Sequence, residues 1–224
     1  MVGTRMGRPL MPRGASMFSL QTIFGKGNQF YGLLEDAATA AADSAMALHQ
    51  MLRSRERAPA LDAFRHARER ERAIADKINE ELVNSFVTAL EREDIEALSS
   101  ALVRIPKQVE RFAERYAMAA RLLEGIDFAP RAAMLEQAAQ VVAEMVAKLR
   151  HMKLDDMRVL NDRLRSIESE ADRLMLELYR ELYAGRYEGH QMFLIKEFFE
   201  ILEKAIDRCR EAGAVVYQIA LKNS

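Results

Sequence analysis

The sequence contains a single cysteine, Cys209, no tryptophan, and only 5 prolines and 10 glycines among 224 residues. One cysteine excludes an intrachain disulfide and a cysteine-based zinc site within one chain, and it fits a reducing compartment. No stretch reaches the ~20 apolar residues that a membrane-spanning helix requires. Because helix breakers are scarce while hydrophobic residues make up 50% of the chain, the composition favours long helices around a sizeable core.

The sequence also lacks an excess of charge of either sign. Its 33 basic and 34 acidic residues give a formal net charge of -1. A generic nucleic-acid-binding protein usually carries a basic excess, so nucleic acid is not an expected partner. The charges alternate in sign along Arg68-Glu69-Arg70-Glu71-Arg72, and this alternation predicts a solvated helix face.

Motifs typical of enzymes are missing as well. The chain has no GxGxxG, GxxxxGK[ST] or GxSxG sequence. None of its histidines follows a glutamate at the Glu-x-x-His spacing that ferritin-like di-iron oxidases use. These histidines are His49, His66, His151 and His190. We therefore predict that the protein is not an enzyme.

The 3.6-residue apolar period predicts six long helices and an all-α fold. The predicted helices span about residues 28–57, 60–89, 91–124, 130–153, 156–184 and 189–221. Pro106 lies inside the third segment, where we expect it to kink or split the helix. Gly125 and Pro130 mark the main break, and Gly185 is a suitable residue to end the fifth helix.

The order of the segments indicates an internal duplication of three helices. Leu34-Glu35-Asp36-Ala37-Ala38 resembles Leu135-Glu136-Gln137-Ala138-Ala139, and Ala75-Asp76-Lys77-Ile78 resembles Ala171-Asp172-Arg173-Leu174. Short connections make successive helices antiparallel, so we predict two tandem three-helix bundle repeats. We place them at residues 17–125 and 126–224, after a disordered leader of residues 1–16. Either Met1 or Met17 fits as the start of the protein.

Paired carboxylates on the last two predicted helices are the strongest chemical feature. Glu168-Ser-Glu-Ala-Asp172 and Glu203-Lys-Ala-Ile-Asp207 each place a Glu and an Asp four residues apart on one helix face, and Glu200 shares the second face. If the two helices pack side by side, these acids converge. Such a cluster either binds a hard or borderline metal or stays hydrated, because unpaired buried charge is costly. A solvated acidic stripe is the alternative interpretation.

Several segments are similar to the PhoU-like phosphate-transport regulators, in the branch that accompanies Pit-type transporters. The resemblance extends from Met17 to Lys222. The segments that carry it are Met17-Phe18-Ser19-Leu20, Phe24-Gly25-Lys26, Phe30-Tyr31-Gly32-Leu33-Leu34-Glu35, Ala75-Asp76-Lys77-Ile78, Leu90-Glu91-Arg92-Glu93-Asp94-Ile95-Glu96-Ala97-Leu98, Ile167-Glu168-Ser169-Glu170-Ala171-Asp172-Arg173-Leu174, and the run from Ile195 to Cys209. The Arg-Glu-Asp-Ile and Lys-Glu…Leu-Glu…Asp-Arg-Cys parts are the more specific ones.

The resemblance implies a metal site in the second repeat. Some members of this family bind metal through E-x-x-x-D motifs, and Glu168, Asp172, Glu200, Glu203 and Asp207 would be the ligands here. The ion would be iron, manganese, magnesium, zinc or calcium.

The first repeat departs from this pattern. Asp76 is kept, but Arg72 replaces its partner acid, and Arg104 and Lys107 stand where relatives carry acids, around Pro106. Because these bases would repel a cation, we expect at most one metal cluster per chain.

The function that the resemblance implies is non-enzymatic and cytoplasmic. The protein would regulate inorganic phosphate transport, with a Pit-type phosphate transporter or an associated signalling protein as its partner. It would be peripheral to the membrane at most, and a homo-oligomer is left open. Two alternatives also remain open: a helical structural adaptor without metal, and a carboxylate metalloenzyme.

Overall fold

The computed structural model describes residues 20–54, 61–151 and 153–224, with side chains from Asn28 onward. These residues contain six α-helices and no strand. The helices are α1 (Leu20–Ser54), α2 (Asp62–Asn84), α3 (Arg92–Ala119), α4 (Ala129–Lys148), α5 (Leu154–Tyr183) and α6 (Gly189–Lys222), and a short 3₁₀ turn, Ala120–Leu123, follows α3. The all-α prediction is confirmed. The predicted leader and the predicted end of the first helix lie outside the described residues.

The helix boundaries follow the predicted ones at most ends, and the differences have local causes. Helix α1 begins at Leu20 and continues through Gly25 and Gly27, since single glycines weaken a helix without ending it. Helix α2 ends at Asn84, before the predicted end, where the Arg92 guanidinium donates to the carbonyl groups of Leu82 and Ser85. These bonds satisfy carbonyl groups that have no partner within the helix.

Glycine and proline act differently at the breaks. Gly125 and Gly185 both adopt positive φ, 91° and 79°, and end the segments before α4 and α6. Helix α3, in contrast, runs without interruption through Pro106, which is buried. Of the two outcomes expected at Pro106, the split is therefore wrong, and the kink stays a prediction. Burial of the helix on both sides of the proline compensates for the lost backbone bond.

The six helices share one hydrophobic core. At its centre α1 packs against α3 and α4, and α6 packs against the same two helices. Helix α2 packs on α1 and α3, and α5 packs on α4 and α6. Phe112, Phe128 and Phe198 form the middle of an aromatic cluster, with ring centroids 5.2–5.9 Å apart. The position of α5 against α4 and α6 thus corresponds to that of α2 against α1 and α3. The boundary between the two repeats, at residues 125 and 126, stays a prediction.

One sequence interpretation fails in part on α2, where Glu69, Arg70 and Arg72 are exposed as predicted but two other residues of the run are not. Arg68 and Glu71 belong to the alternating run that predicted a solvated face, yet they are only 7% and 1% exposed. The Arg68 guanidinium donates to Glu71 one turn later, and its Nε lies 3.1 Å from Glu110 Oε2 on α3. Alternating charge predicts exposure only when no neighbouring helix offers an ionic partner. Here α3 offers one, the carboxylate of Glu110.

Among the described helices, none combines the length and the hydropathy required to cross a bilayer.

Candidate metal centre

Helices α5 and α6 are the elements that position the candidate ligands. They run antiparallel, since Tyr179 near the end of α5 bonds Glu200 near the start of α6, and Arg210 near the end of α6 reaches back to Glu168. They approach closely at Gly213, where an added Cβ would lie 2.3 Å from the Leu164 side chain. This close approach brings the acidic borders of the two helices into one cleft.

Three of the predicted ligands converge in this cleft. Asp172 of α5 and Glu203 and Asp207 of α6 each offer a carboxylate oxygen, and these oxygens lie within 4.8 Å of one another. We call these three residues the acid trio. Asp172 is exposed and the other two are partly buried. In the described part of the chain, none of the three carboxylates accepts a hydrogen bond or lies within 4 Å of a basic group.

Burial and repulsion by neighbouring carboxylates raise the pKa values of Glu203 and Asp207. Burial, followed by the neighbouring carboxylates of Asp207 and Asp172, raises the pKa of Glu203 to about 7. Burial, followed by the carboxylates of Asp172 and Glu168, also raises the pKa of Asp207. Lys204 and Arg208 offset these effects only in part. The cleft therefore favours a proton on Glu203, or a cation beside it, near neutral pH.

Glu168 lines the same cleft but lies outside the converging group. Its Oε2 is 3.4 Å from Nε of Arg210. Arg210 also lines the cleft, and one of its terminal N–H groups donates to Oδ1 of Asn161, 3.4 Å away. Glu168 thus has a basic partner, which the acid trio lacks.

Glu200 lies one turn before Glu203 and faces a neighbouring groove. The Tyr179 hydroxyl donates to Glu200 Oε1 at 2.7 Å, and the Lys196 ammonium lies 3.0 Å from the same oxygen. Burial raises the pKa of Glu200, but these two hydrogen bonds outweigh it, and the pKa ends below its ordinary value. Glu200 therefore lies near the acid trio, but its carboxylate is bound by Tyr179 and Lys196.

The residues of the first repeat do not form an equivalent cleft within the described chain. Asp76, Arg72 and Lys107 are exposed, and Arg104 lies 3.5 Å from Glu211 of α6. The carboxylates at the α2–α3 contact belong to Glu71 and Glu110, and Arg68 lies between them. In the described residues, the carboxylates whose oxygens converge as a candidate metal site are those of the acid trio.

Sequence reasoning missed Arg210 and Asn161. A usable signal existed, since Arg210 follows Asp207 by three residues and so shares its helix face. Asn161 precedes Glu168 by two turns on α5 and is 4% exposed. No single-helix pattern shows that these two side chains meet, because their contact depends on how α5 is rotated against α6.

The donor chemistry of the acid trio fits a hard cation. Carboxylate oxygens suit Mg²⁺, Ca²⁺, Mn²⁺ or iron, whereas zinc sites mostly use nitrogen and sulfur ligands. The three oxygens lie close together and have no basic partner within 4 Å. A bound cation would compensate their charge, which apolar surroundings could not do.

Comparisons with known proteins agree with this architecture. No protein-family model matches the chain. The UPF0111 protein YkaA of Bacillus subtilis is 21% identical over 144 residues, which cover 64% of this chain and 70% of that protein. Two crystal structures of proteins from Shewanella oneidensis MR-1 superpose on this chain with a TM-score of 0.74 each, at 15% and 16% sequence identity. Each superposition covers 86% of this chain and 99% of the other chain. One is described as a PhoU-like protein and the other as one proposed to be a PhoU-like phosphate regulatory protein. This chain therefore has the PhoU-like fold, an all-α helical bundle.

Proposed function

We propose that this protein is a non-enzymatic regulator of inorganic phosphate transport that acts at the cytoplasmic face of a Pit-type transporter. The single observation that carries the proposal is the likeness of the whole fold to a structure described as a phosphate regulatory protein. The residues that resemble the Pit-associated branch, from Met17 to Cys209, support the finer assignment.

The acid trio supplies the second part of the proposal, a metal-responsive surface. Asp172 belongs to α5, whereas Glu203 and Asp207 belong to α6. A bound cation would offset most of the trio's negative charge and link the two helices. Asp172, Glu203 and Asp207 would hold it, with Glu168 and Glu200 next to them. The chain's own residues would then fix the spacing of α5 and α6, and with it the surface that a partner contacts.

Phosphate uptake tests the first part. Deleting the gene should change the uptake of radiolabelled phosphate, and the wild-type gene should restore it. Sulfate uptake, measured in the same cells, is the control and should not change. Unchanged phosphate uptake would refute the proposed function.

Metal binding tests the second part. A chelator should lower the Tm of the wild-type protein, and the double variant Asp172→Asn/Asp207→Asn should lose this sensitivity. The matched control is Asp76→Asn in the first repeat, which should keep it. If elemental analysis finds no metal and the chelator has no effect, the trio is a solvated acidic stripe and the adaptor alternative holds.

A further inference from the structure

Arg210 is a basic side chain inside the cleft of the acid trio, and the proposed function gives it no role. Its side chain is 17% exposed, and its Nε lies 3.4 Å from Glu168. It lines the cleft together with Asp172, Glu203 and Asp207. A guanidinium stays protonated at any physiological pH, so this positive charge is permanent.

Helix α5 holds this guanidinium in place from two positions. Glu168 pairs with Nε, and Oδ1 of the buried Asn161 accepts a hydrogen bond from a terminal nitrogen. Both contacts are 3.4 Å long, and a guanidinium that moved away would lose both partners. Arg210 therefore holds Glu168 as its partner, and the Glu168 carboxylate stays outside the converging group.

The first repeat shows what an arginine between two acidic helices does in this fold. Arg68 lies between Glu71 of its own helix and Glu110 of α3, and all three are buried or partly buried. There the guanidinium serves as the cation of the cluster. In the second repeat Arg210 pairs with only one carboxylate and leaves the trio unpaired.

We propose that Arg210 is a positioning residue that weakens metal binding at the acid trio, because it holds Glu168 as its own counter-ion. This inference rests on the proposed metal site. When Arg210 is removed, Glu168 becomes free to turn toward the trio and serve as a fourth carboxylate ligand. Two effects then act in one direction, since a repelling positive charge is lost and a negative ligand is gained.

A titration with Mn²⁺, followed by isothermal calorimetry on the full chain, tests the inference. Arg210→Gln should lower the Kd for Mn²⁺ by at least about tenfold. Glu168→Gln alone should change the Kd by less than about threefold, because Glu168 is not free to bind in the wild type. Adding Glu168→Gln to Arg210→Gln should abolish most of the gain, and this non-additivity is the signature of ligand exchange.

Controls separate this mechanism from general charge effects and from misfolding. Arg150→Gln removes a more exposed arginine, which pairs with Glu35 of α1 from the turn after α4, and it should leave the Kd unchanged. Arg210→Met removes the same charge but keeps an apolar stem, and it replaces Arg210→Gln if circular dichroism shows that the latter does not fold.

Each outcome supports or overturns the inference. A gain that depends on Glu168 supports it. An equal gain in the presence and absence of Glu168, or a weaker affinity after loss of Arg210, overturns it and leaves the metal site intact. If the wild type does not bind Mn²⁺ at all, the metal site of the proposed function fails, and this inference fails with it.

Discussion

Replacing Glu203 by glutamine should have opposite effects on stability with and without metal. Glu203 is the member of the acid trio whose pKa is raised to about 7, by burial and by its neighbours. Without metal, Glu203→Gln removes a repelling charge and should stabilise the fold. With metal it removes a ligand, so the stabilisation by metal should shrink.

The magnitude follows from the geometry. Two unit charges separated by the 4.8 Å that bounds the trio repel by about 0.9 kcal/mol in bulk water and by about 3.5 kcal/mol at an effective dielectric constant of ~20. Glu203 takes part in two such pairs. Because the cleft is open to solvent, the lower limit applies, and the relief is about 2 kcal/mol. For a chain of this size that corresponds to an increase in Tm of about 4–8 °C.

The pH dependence has a definite sign. A carboxyl group whose pKa is higher in the folded state binds more protons when folded, so the stability it contributes is lost as the pH rises from its unfolded to its folded pKa. For Glu203 that interval ends at about 7. In chelator, the difference in Tm between Glu203→Gln and the wild type should therefore be small near about pH 4.5 and should reach its full value by about pH 8.

Metal should alter this order. At about 1,000 times its Kd, a bound ion stabilises the wild type by about 4.1 kcal/mol, which is about 8–16 °C in Tm. The increase in Glu203→Gln should be less than half of that. Differential scanning fluorimetry in chelator and in Mn²⁺ gives both numbers. A lower Tm of the variant in chelator would refute the repulsion argument, and an equal metal-induced increase in both proteins would show that Glu203 is not a ligand.

Three further predictions concern the fold that supports the site. Gly213→Ala should be about 1–3 kcal/mol less stable than Gly189→Ala, because only the first places a Cβ against Leu164, and urea unfolding of the two variants measures the difference. Phe112→Ala, at the centre of the aromatic cluster, should cost about 3–5 kcal/mol in the same assay. Arg68→Met should also cost about 3–5 kcal/mol by leaving the buried Glu71 unpaired, and adding Glu71→Gln should recover part of it; no recovery would show that Arg68 acts through packing alone.

The helices and their ends could be predicted because they depend on local chemistry. The apolar period, Gly125 and Gly185 define most of the boundaries without reference to tertiary structure. The exceptions depend on other helices. Pro106 stays within α3 because the helix is buried around it, and α2 ends where Arg92 binds its carbonyl groups.

The candidate site was predictable only to the level of which acids share a helix face. The spacing of Glu168 and Asp172, and of Glu203 and Asp207, was enough to expect that they meet. It could not show that Glu168 pairs with Arg210, since this depends on the rotation of α5 against α6. The contact of Leu164 with Gly213 fixes that rotation, and neither residue carries a charge that would draw attention to it.

The two repeats neutralise their carboxylates in physically different ways, and the difference bears on regulation. Arg68 is covalently part of the chain, so its cluster with Glu71 and Glu110 keeps a counter-ion whatever cations the solution contains. In the described chain no basic group lies within 4 Å of the acid trio, and Lys204 and Arg208 offset its charge only in part, so protons or cations from solution would compensate the rest. The α2–α3 contact therefore needs no bound cation, whereas the proposed metal site would make the α5–α6 contact depend on one. The proposed regulator would engage its partner through the face that α5 and α6 form, because that is the face whose charge a bound cation would change.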